Sequence, residues 1–159
     1  MMRFIELIRS CLTDVKEIMP WDLEERLQDN PDLLIIDVRE PYEFDAMHIP
    51  GSINVPRGIL ESACEWDYEE TNPELVRSRD REIIVVCRSG YRSVLAANSM
   101  QVLGYKNVVS LKTGLRGWND YEQSLQNRDK QPVDVEAADE YFTARLRPDQ
   151  LKPKDWVDS

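Results

Sequence analysis

An α/β fold built on a mainly parallel sheet is predicted by three features of this 159-residue chain. Short apolar runs rich in Ile and Val recur at residues 33–36, 83–86 and 108–111, as strands buried on both faces require. Segments with helical apolar spacing separate them, and Pro or Gly marks many of the changes from one type to the other. Strands alternating with helices lead to a right-handed parallel arrangement with helices on both sides.

In chain order, residues 3–12 read as a short amphipathic helix that packs against the body. Residues 15–18 are a first strand, and Pro20 opens a helix to about residue 28 with Trp21, Leu23 and Leu27 as its apolar positions. Asn30-Pro31-Asp32 breaks the chain, residues 33–36 form a second strand ending at Asp37, and Pro41 starts a short helix to residue 47. Residues 53–55 give a third strand. The stretch 56–81 is the least determined: a helix over 58–66 would turn Ile59, Leu60, Ala63 and Trp66 inward, ahead of a solvated acidic connection and a turn at 73–76. Residues 83–86 are the fourth strand, followed by a helix over 91–103 that uses Val94, Leu95, Ala97, Val102 and Leu103, with Gly104 as its cap. Residues 108–111 are the fifth. A helix over 114–125 then carries Leu115, Trp118, Tyr121 and Leu125. Beyond 127 the chain turns polar, with one helix expected over 137–146 and Tyr141, Phe142, Leu146 and Trp156 as anchors. The division expected is an N-terminal helical extension at 1–14, a domain at 15–127 and a C-terminal extension at 128–159, the extensions wrapping the domain or reaching a second subunit or protein.

Charge and cysteine usage narrow the function. With 20 Lys and Arg against 30 Asp and Glu, the net charge of −10 argues against nucleic acid as a partner. Glu6 and Arg9 interrupt the only apolar N-terminal stretch, so neither a membrane span nor an export signal is expected, and the cytoplasm is the default location. Cys11, Cys64 and Cys87 are widely spaced without a CxxC, which suggests no metal site, no disulfide framework and no cofactor.

Cys87 nevertheless occupies a place for chemistry, between the carboxyl end of a buried strand and the amino end of a helix, with Gly90 allowing the turn. Unpaired amides and the macrodipole at a helix start favour an anion, and thiolate is one. A free cysteine has a pKa of about 8.5 and a reactive one roughly 3.5 to 7.5, whereas a helix terminus supplies only about 0.3–1 kcal/mol against about 1.36 kcal/mol per unit. Further donors are needed. Arg88, Arg92 and amides of a loop wrapped around the sulfur are the candidates, and the same field would attract an anionic substrate, provided that solvent reaches the thiol. Asp37 and Arg39 read as supporting residues at a strand end, where a buried carboxylate is satisfied by local amides or an arginine, with a catalytic acid as the alternative. Cys64 reads as a buried apolar residue.

The loop Cys87-Arg88-Ser89-Gly90-Tyr91-Arg92-Ser93 resembles the active-site loop of rhodanese-like sulfurtransferases. Asp37-Val38-Arg39-Glu40-Pro41 with His48-Ile49-Pro50-Gly51 is similar to the family's amino-terminal signature, and Leu111 to Trp118 to its carboxyl-terminal one, although Thr113 stands where a glycine is usual. The resemblance covers about residues 15–126. It implies a three-layer rhodanese-like fold with a central sheet of about five strands, a structural role for His48, and a thiosulfate sulfurtransferase in which Cys87 carries a persulfide. Arg88 and Arg92 would hold a small anionic donor, amides from Arg88 to Ser93 would cradle the sulfur, and Ser89 and Ser93 could add hydroxyls. Acceptors would be cyanide, a small thiol or a protein thiol. A protein-to-protein sulfur carrier or interaction module is the alternative, with the extensions as candidate homodimer contacts. Cysteine phosphatases and arsenate reductases fit less well, because they place arginine six positions after the cysteine, and position 93 is serine.

Overall fold

In the computed structural model, which describes residues 1–158, five strands form one sheet: β1 (Glu17–Ile18), β2 (Leu34–Asp37), β3 (Ile53–Asn54), β4 (Glu82–Val86) and β5 (Asn107–Leu111). Their order is β1-β5-β4-β2-β3, and every pairing is parallel. β4 lies centrally, with Ile36 opposite Val85 and Asp37 opposite Val86. The expected fold class is therefore the one observed, with the edge strands cut to two residues each.

Side-chain alternation along the strands builds two cores. Ile83 and Val85 face one cluster, closed by α1 (Phe4–Cys11), α4 (Leu60–Ala63), α5 (Pro73–Val76) and α6 (Tyr91–Val102). Ile84 and Val86 face the other, closed by α2 (Pro20–Asp29), α7 (Gly114–Asp120) and α8 (Val135–Phe142), with Met47 just after α3 (Pro41–Ala46). The N-terminal helix thus belongs to the body: Ile8 and Cys11 are buried in the first core.

Several local expectations are corrected. The helix foreseen over 58–66 is a 3₁₀ turn, Arg57–Ile59, running into the single turn of α4. Leu60 and Ala63 point inward, but Ile59 and Trp66 are exposed, and Trp66 instead carries the Arg77 guanidinium 5.0 Å from its ring centre. Val102 is exposed at the end of α6. α7 stops at Asp120 because Glu122 adopts φ 57°, so Leu125 reaches the core from the following loop while Tyr121 stays half-exposed against Trp21. Of the four anchors expected beyond 127, only Phe142 is buried, joined by Ala138; Tyr141, Leu146 and Trp156 are exposed.

Among the described residues no helix is long and apolar enough to cross a membrane, and no cluster of three or more His, Cys, Asp or Glu is placed to hold a metal ion. All three cysteines are unpaired.

Candidate active site

Cys87 follows β4 directly, and Gly90, at φ 97°, caps α6 in the left-handed conformation. A side chain at position 90 would also crowd the backbone of the β5–α7 turn, its Cβ 3.1 Å from the Thr113 nitrogen and 3.2 Å from the Leu111 oxygen. This turn folds amides back onto the sulfur: the Gly90 N–H donates to Cys87 Sγ at 3.1 Å and the Ser93 N–H at 3.4 Å. Ser93 Oγ lies 3.4 Å from Sγ and 2.7 Å from Ser110 Oγ on β5, and both serines are buried. Two amides therefore donate to one sulfur, whose thiol in turn donates to the Ser93 hydroxyl oxygen.

The neighbouring turn fixes the loop from behind. Amides at the start of α7 engage its carbonyls, Leu115 N–H to Cys87 O at 2.9 Å and Arg116 N–H to Arg88 O at 3.0 Å. A Cβ at Gly114 would stand 2.5 Å from both of those oxygens, so only glycine fits. Thr113 also takes a positive φ, 67°, rare for a β-branched residue. Its side chain is accommodated because position 117 is glycine; any Cβ there would collide with it.

The two loop arginines do not stand free as expected. Arg92 presents a fork to Glu43 of α3, with Nη1 to Oε2 at 2.9 Å and Nη2 to Oε1 at 3.0 Å. Burial acts to raise the Glu43 pKa, but the Arg92 hydrogen bond, the Glu40 amide and the positive charge of Arg92 and Arg39 hold it below the usual value. Arg88 donates from Nη2 to the Phe142 carbonyl at 2.8 Å, at the end of α8. Neither guanidinium hydrogen-bonds the sulfur. Ser89 is exposed and outside the sulfur's hydrogen-bond shell, and Tyr91 packs edge-on against Phe4 of α1 at 5.9 Å.

Accessibility is a second correction. Cys87 is only 1% exposed, because it ends a strand inside the first core and the loop closes over it. Sulfur chemistry from this state requires loop side chains to move.

Asp37 and Arg39 form a sealed pair: Arg39 Nε donates to Oδ1 at 3.0 Å and Nη2 to Oδ2 at 2.8 Å, with Nη2 also on the Met47 carbonyl at 2.6 Å. That is a structural arrangement. His48 stacks on Phe44 at 3.9 Å and places Nδ1 2.8 Å from the Phe44 carbonyl, with no hydrogen bond to Cys87. Burial pushes the Cys64 thiol up, which suits an inert side chain.

Three contributors escaped the sequence. Glu43 and the Phe142 carbonyl join the loop across 49 and 54 residues, and nothing local signals either contact. Ser110 had a signal: it is the single buried hydroxyl in the otherwise apolar strand interior of β5.

Comparison with known proteins places the family and the fold. The rhodanese-like domain family matches residues 19–121. A Bacillus subtilis protein named as a candidate sulfur carrier, YrkF, is 32% identical over 106 residues, covering 67% of this chain but only 52% of its own, so the similarity spans about half of that relative. A sulfurtransferase of Allochromatium vinosum is 31% identical over 104 residues, covering 65% of this chain and 88% of its own. Among solved structures, RPA3614 from Rhodopseudomonas palustris, of unknown function and named a candidate tyrosine phosphatase, superposes with a TM-score of 0.68 at 26% identity, covering 76% of this chain and 92% of its own.

Proposed function

The chain belongs to the rhodanese-like family, and from that premise we propose that it is a sulfurtransferase that carries a sulfane sulfur on Cys87. The observation behind this reading is the convergence of the Gly90 and Ser93 amides on Sγ at the start of α6. Hydrogen bonds to a charged acceptor are the stronger kind, and these two amide N–H groups are placed to donate to negative charge on a sulfur carried by the loop.

The donor is thiosulfate or a related anion. Cys87 thiolate attacks its outer sulfur, the S–S bond of the donor breaks with its electron pair on the departing sulfite, and a Cys87 persulfide remains. Glu43 holds the two guanidinium bonds of Arg92 that a donor oxyanion would take, and exchange of one anion for the other admits the donor. Persulfidation moves the outer sulfur about 2 Å beyond Sγ, so the carried atom stands further from the buried stem. Arg88 to Ser93 are its binding residues, and Asp37 and Arg39 support the loop's base. A small thiol, cyanide or a protein thiol accepts the sulfur. The naming of one relative as a candidate sulfur carrier favours a protein acceptor as the second reading. The phosphatase reading suggested by RPA3614 is not adopted, since arginine here follows the cysteine by five residues. Residues 15–127 are the catalytic unit in this proposal, and three unpaired thiols fit a reducing compartment such as the cytoplasm.

Intact-mass measurement after incubation with thiosulfate tests it. The parent should gain one sulfur atom and Cys87→Ser none; an equal gain in the variant would move the chemistry to Cys11 or Cys64.

A further inference from the structure

Strand β5 carries one buried hydroxyl among apolar neighbours. Alternation sends Val109 and Leu111 into the second core and Val108 into the first, so Ser110 faces the side that holds α6 and Cys87. Its backbone is already paired, opposite Glu17 and Val85, with its N–H on the Lys16 carbonyl at 3.0 Å. The ladder makes no use of its side chain. Among the described residues Ser110 Oγ has one partner, Ser93 Oγ at 2.7 Å, and Ser93 Oγ has one more, Cys87 Sγ at 3.4 Å. Both serines are 0% exposed, so neither hydroxyl is open to bulk solvent.

We propose that Ser110 is a positioning residue for the sulfur carried on Cys87: it donates to Ser93 Oγ and thereby aims the Ser93 O–H at the persulfide; this rests on the sulfurtransferase reading above. The hydrogens on the three atoms carry the argument. With Cys87 as thiol, Sγ, Ser93 Oγ and Ser110 Oγ bear three hydrogens and make two contacts, so one hydrogen has no acceptor among the described residues. Loading removes that excess. A new S–S bond forms between Cys87 Sγ and the outer sulfur of thiosulfate, the donor's own S–S bond breaks with its electron pair on the departing sulfite, and the thiol proton ends on that sulfite as hydrogensulfite. The inner sulfur of the persulfide bears no hydrogen. Two hydrogens then serve two contacts, and only one direction places both, from Ser110 to Ser93 and from Ser93 to the sulfur. The change of direction needs two hydroxyl rotations and no backbone movement.

Ser110 matters because a helical serine has another outlet. Its hydroxyl can turn back onto the carbonyl four residues earlier, here that of Ser89, once nothing holds it. The 2.7 Å bond to Ser110 keeps Ser93 Oγ beside the sulfur instead, and a hydroxyl that accepts one hydrogen bond becomes a stronger donor of its own. Loss of that aim falls on the persulfide more than on the thiol, since a thiol donates only weakly to Ser93, whereas a sulfur that shares negative charge is a strong acceptor.

Mixtures of thiosulfate and sulfite at fixed ratio set the loading equilibrium of the full-length protein, and mass spectrometry of the trapped Cys87 peptide reads its ratio of persulfide to thiol. Ser110→Ala should lower that ratio roughly twofold to tenfold, the worth of one hydrogen bond. Ser110→Thr keeps the hydroxyl and should stay close to the parent. Ser93→Ala should lose as much as Ser110→Ala, and the double variant no more than either, because Ser110 acts through Ser93. A ratio unchanged in Ser110→Ala, a loss in Ser110→Thr equal to that in Ser110→Ala, or losses that add in the double variant would each overturn the assignment. A parent that takes up no sulfur would defeat the sulfurtransferase reading instead. The crystal structure of Ser110→Ala then decides the positioning role by itself: Ser93 Oγ should turn away from Sγ, and retention of the 3.4 Å contact would overturn it.

Discussion

Two carboxylate–arginine forks stand near the loop, and they are built differently. Asp37 and Arg39 are two residues apart, their side chains are 0% exposed, and the pair is locked to the Met47 carbonyl. Glu43 and Arg92 come from α3 and α6, and the arginine side chain is 35% exposed beside a carboxylate at 10%. Similar hydrogen-bond geometry therefore has two physical meanings. A sealed pair has no water to replace a lost partner, so it holds the end of β2 and the end of α3 in one arrangement. A pair open on the arginine side can exchange its anion, because solvent or a ligand takes over the freed hydrogen bonds.

The sharpest way to break this contrast is Arg39→Ala. It leaves the Asp37 carboxylate buried without its partner, and the expected loss is about 3–5 kcal/mol. For a chain of this size each kcal/mol moves the melting temperature about 2–4 °C, so thermal unfolding should fall by roughly 6–20 °C. A loss below about 1 kcal/mol would mean that the pair is not sealed. Among the described residues Arg39 Nη1 has no hydrogen-bond partner, so the guanidinium is seated there by Asp37 and Met47.

Glu43→Gln probes the open pair and should act on the reaction more than on the fold. The amide still accepts one hydrogen bond from Arg92 but removes the competing negative charge. Stability should change by no more than about 1 kcal/mol, while the KM for thiosulfate in sulfur loading falls about twofold to fivefold. A raised KM would show that Glu43 orients Arg92 toward the donor rather than standing in for it.

The contrast also marks what the sequence could convey. Local patterns disclosed the sheet: the β-branched runs became β2, β4 and β5, and Gly90, Gly104 and Pro20 stand at the helix ends foreseen for them. The supporting role of Asp37 and Arg39 was legible because both lie at a strand end, although their pairing with each other came only with the structure. Cys87 was legible as the end of β4, and its depth was not, since burial depends on how α1 and α6 close the first core. Glu43 and the Phe142 carbonyl were illegible for a related reason. Their contacts with the loop cross 49 and 54 residues and depend on where α3 and α8 come to rest. Trp66 and Val102 were misjudged because apolar spacing alone cannot tell where a helix ends.

Acid titration offers the smallest effect and the cleanest sign. The folded-state pKa of Glu43 lies below its ordinary value: burial pushes upward, and the Arg92 hydrogen bond with the other favourable contacts outweighs it. A lowered carboxylate contributes stability that is fully present above the ordinary glutamate value of about 4.3 and disappears as pH falls through the lowered folded value. Glu43→Gln has no such contribution at any pH. Unfolding free energies of parent and variant, compared from pH 7 downward, should therefore differ by at most about 1 kcal/mol at neutrality and converge only once the pH falls below the lowered folded value. In the same window the parent's Arg92 loses its anion, so its thiosulfate KM should approach that of the variant. A stability gap that stays constant with pH would show that the carboxylate's charge is not what holds Arg92, and the two forks would then differ in exposure alone.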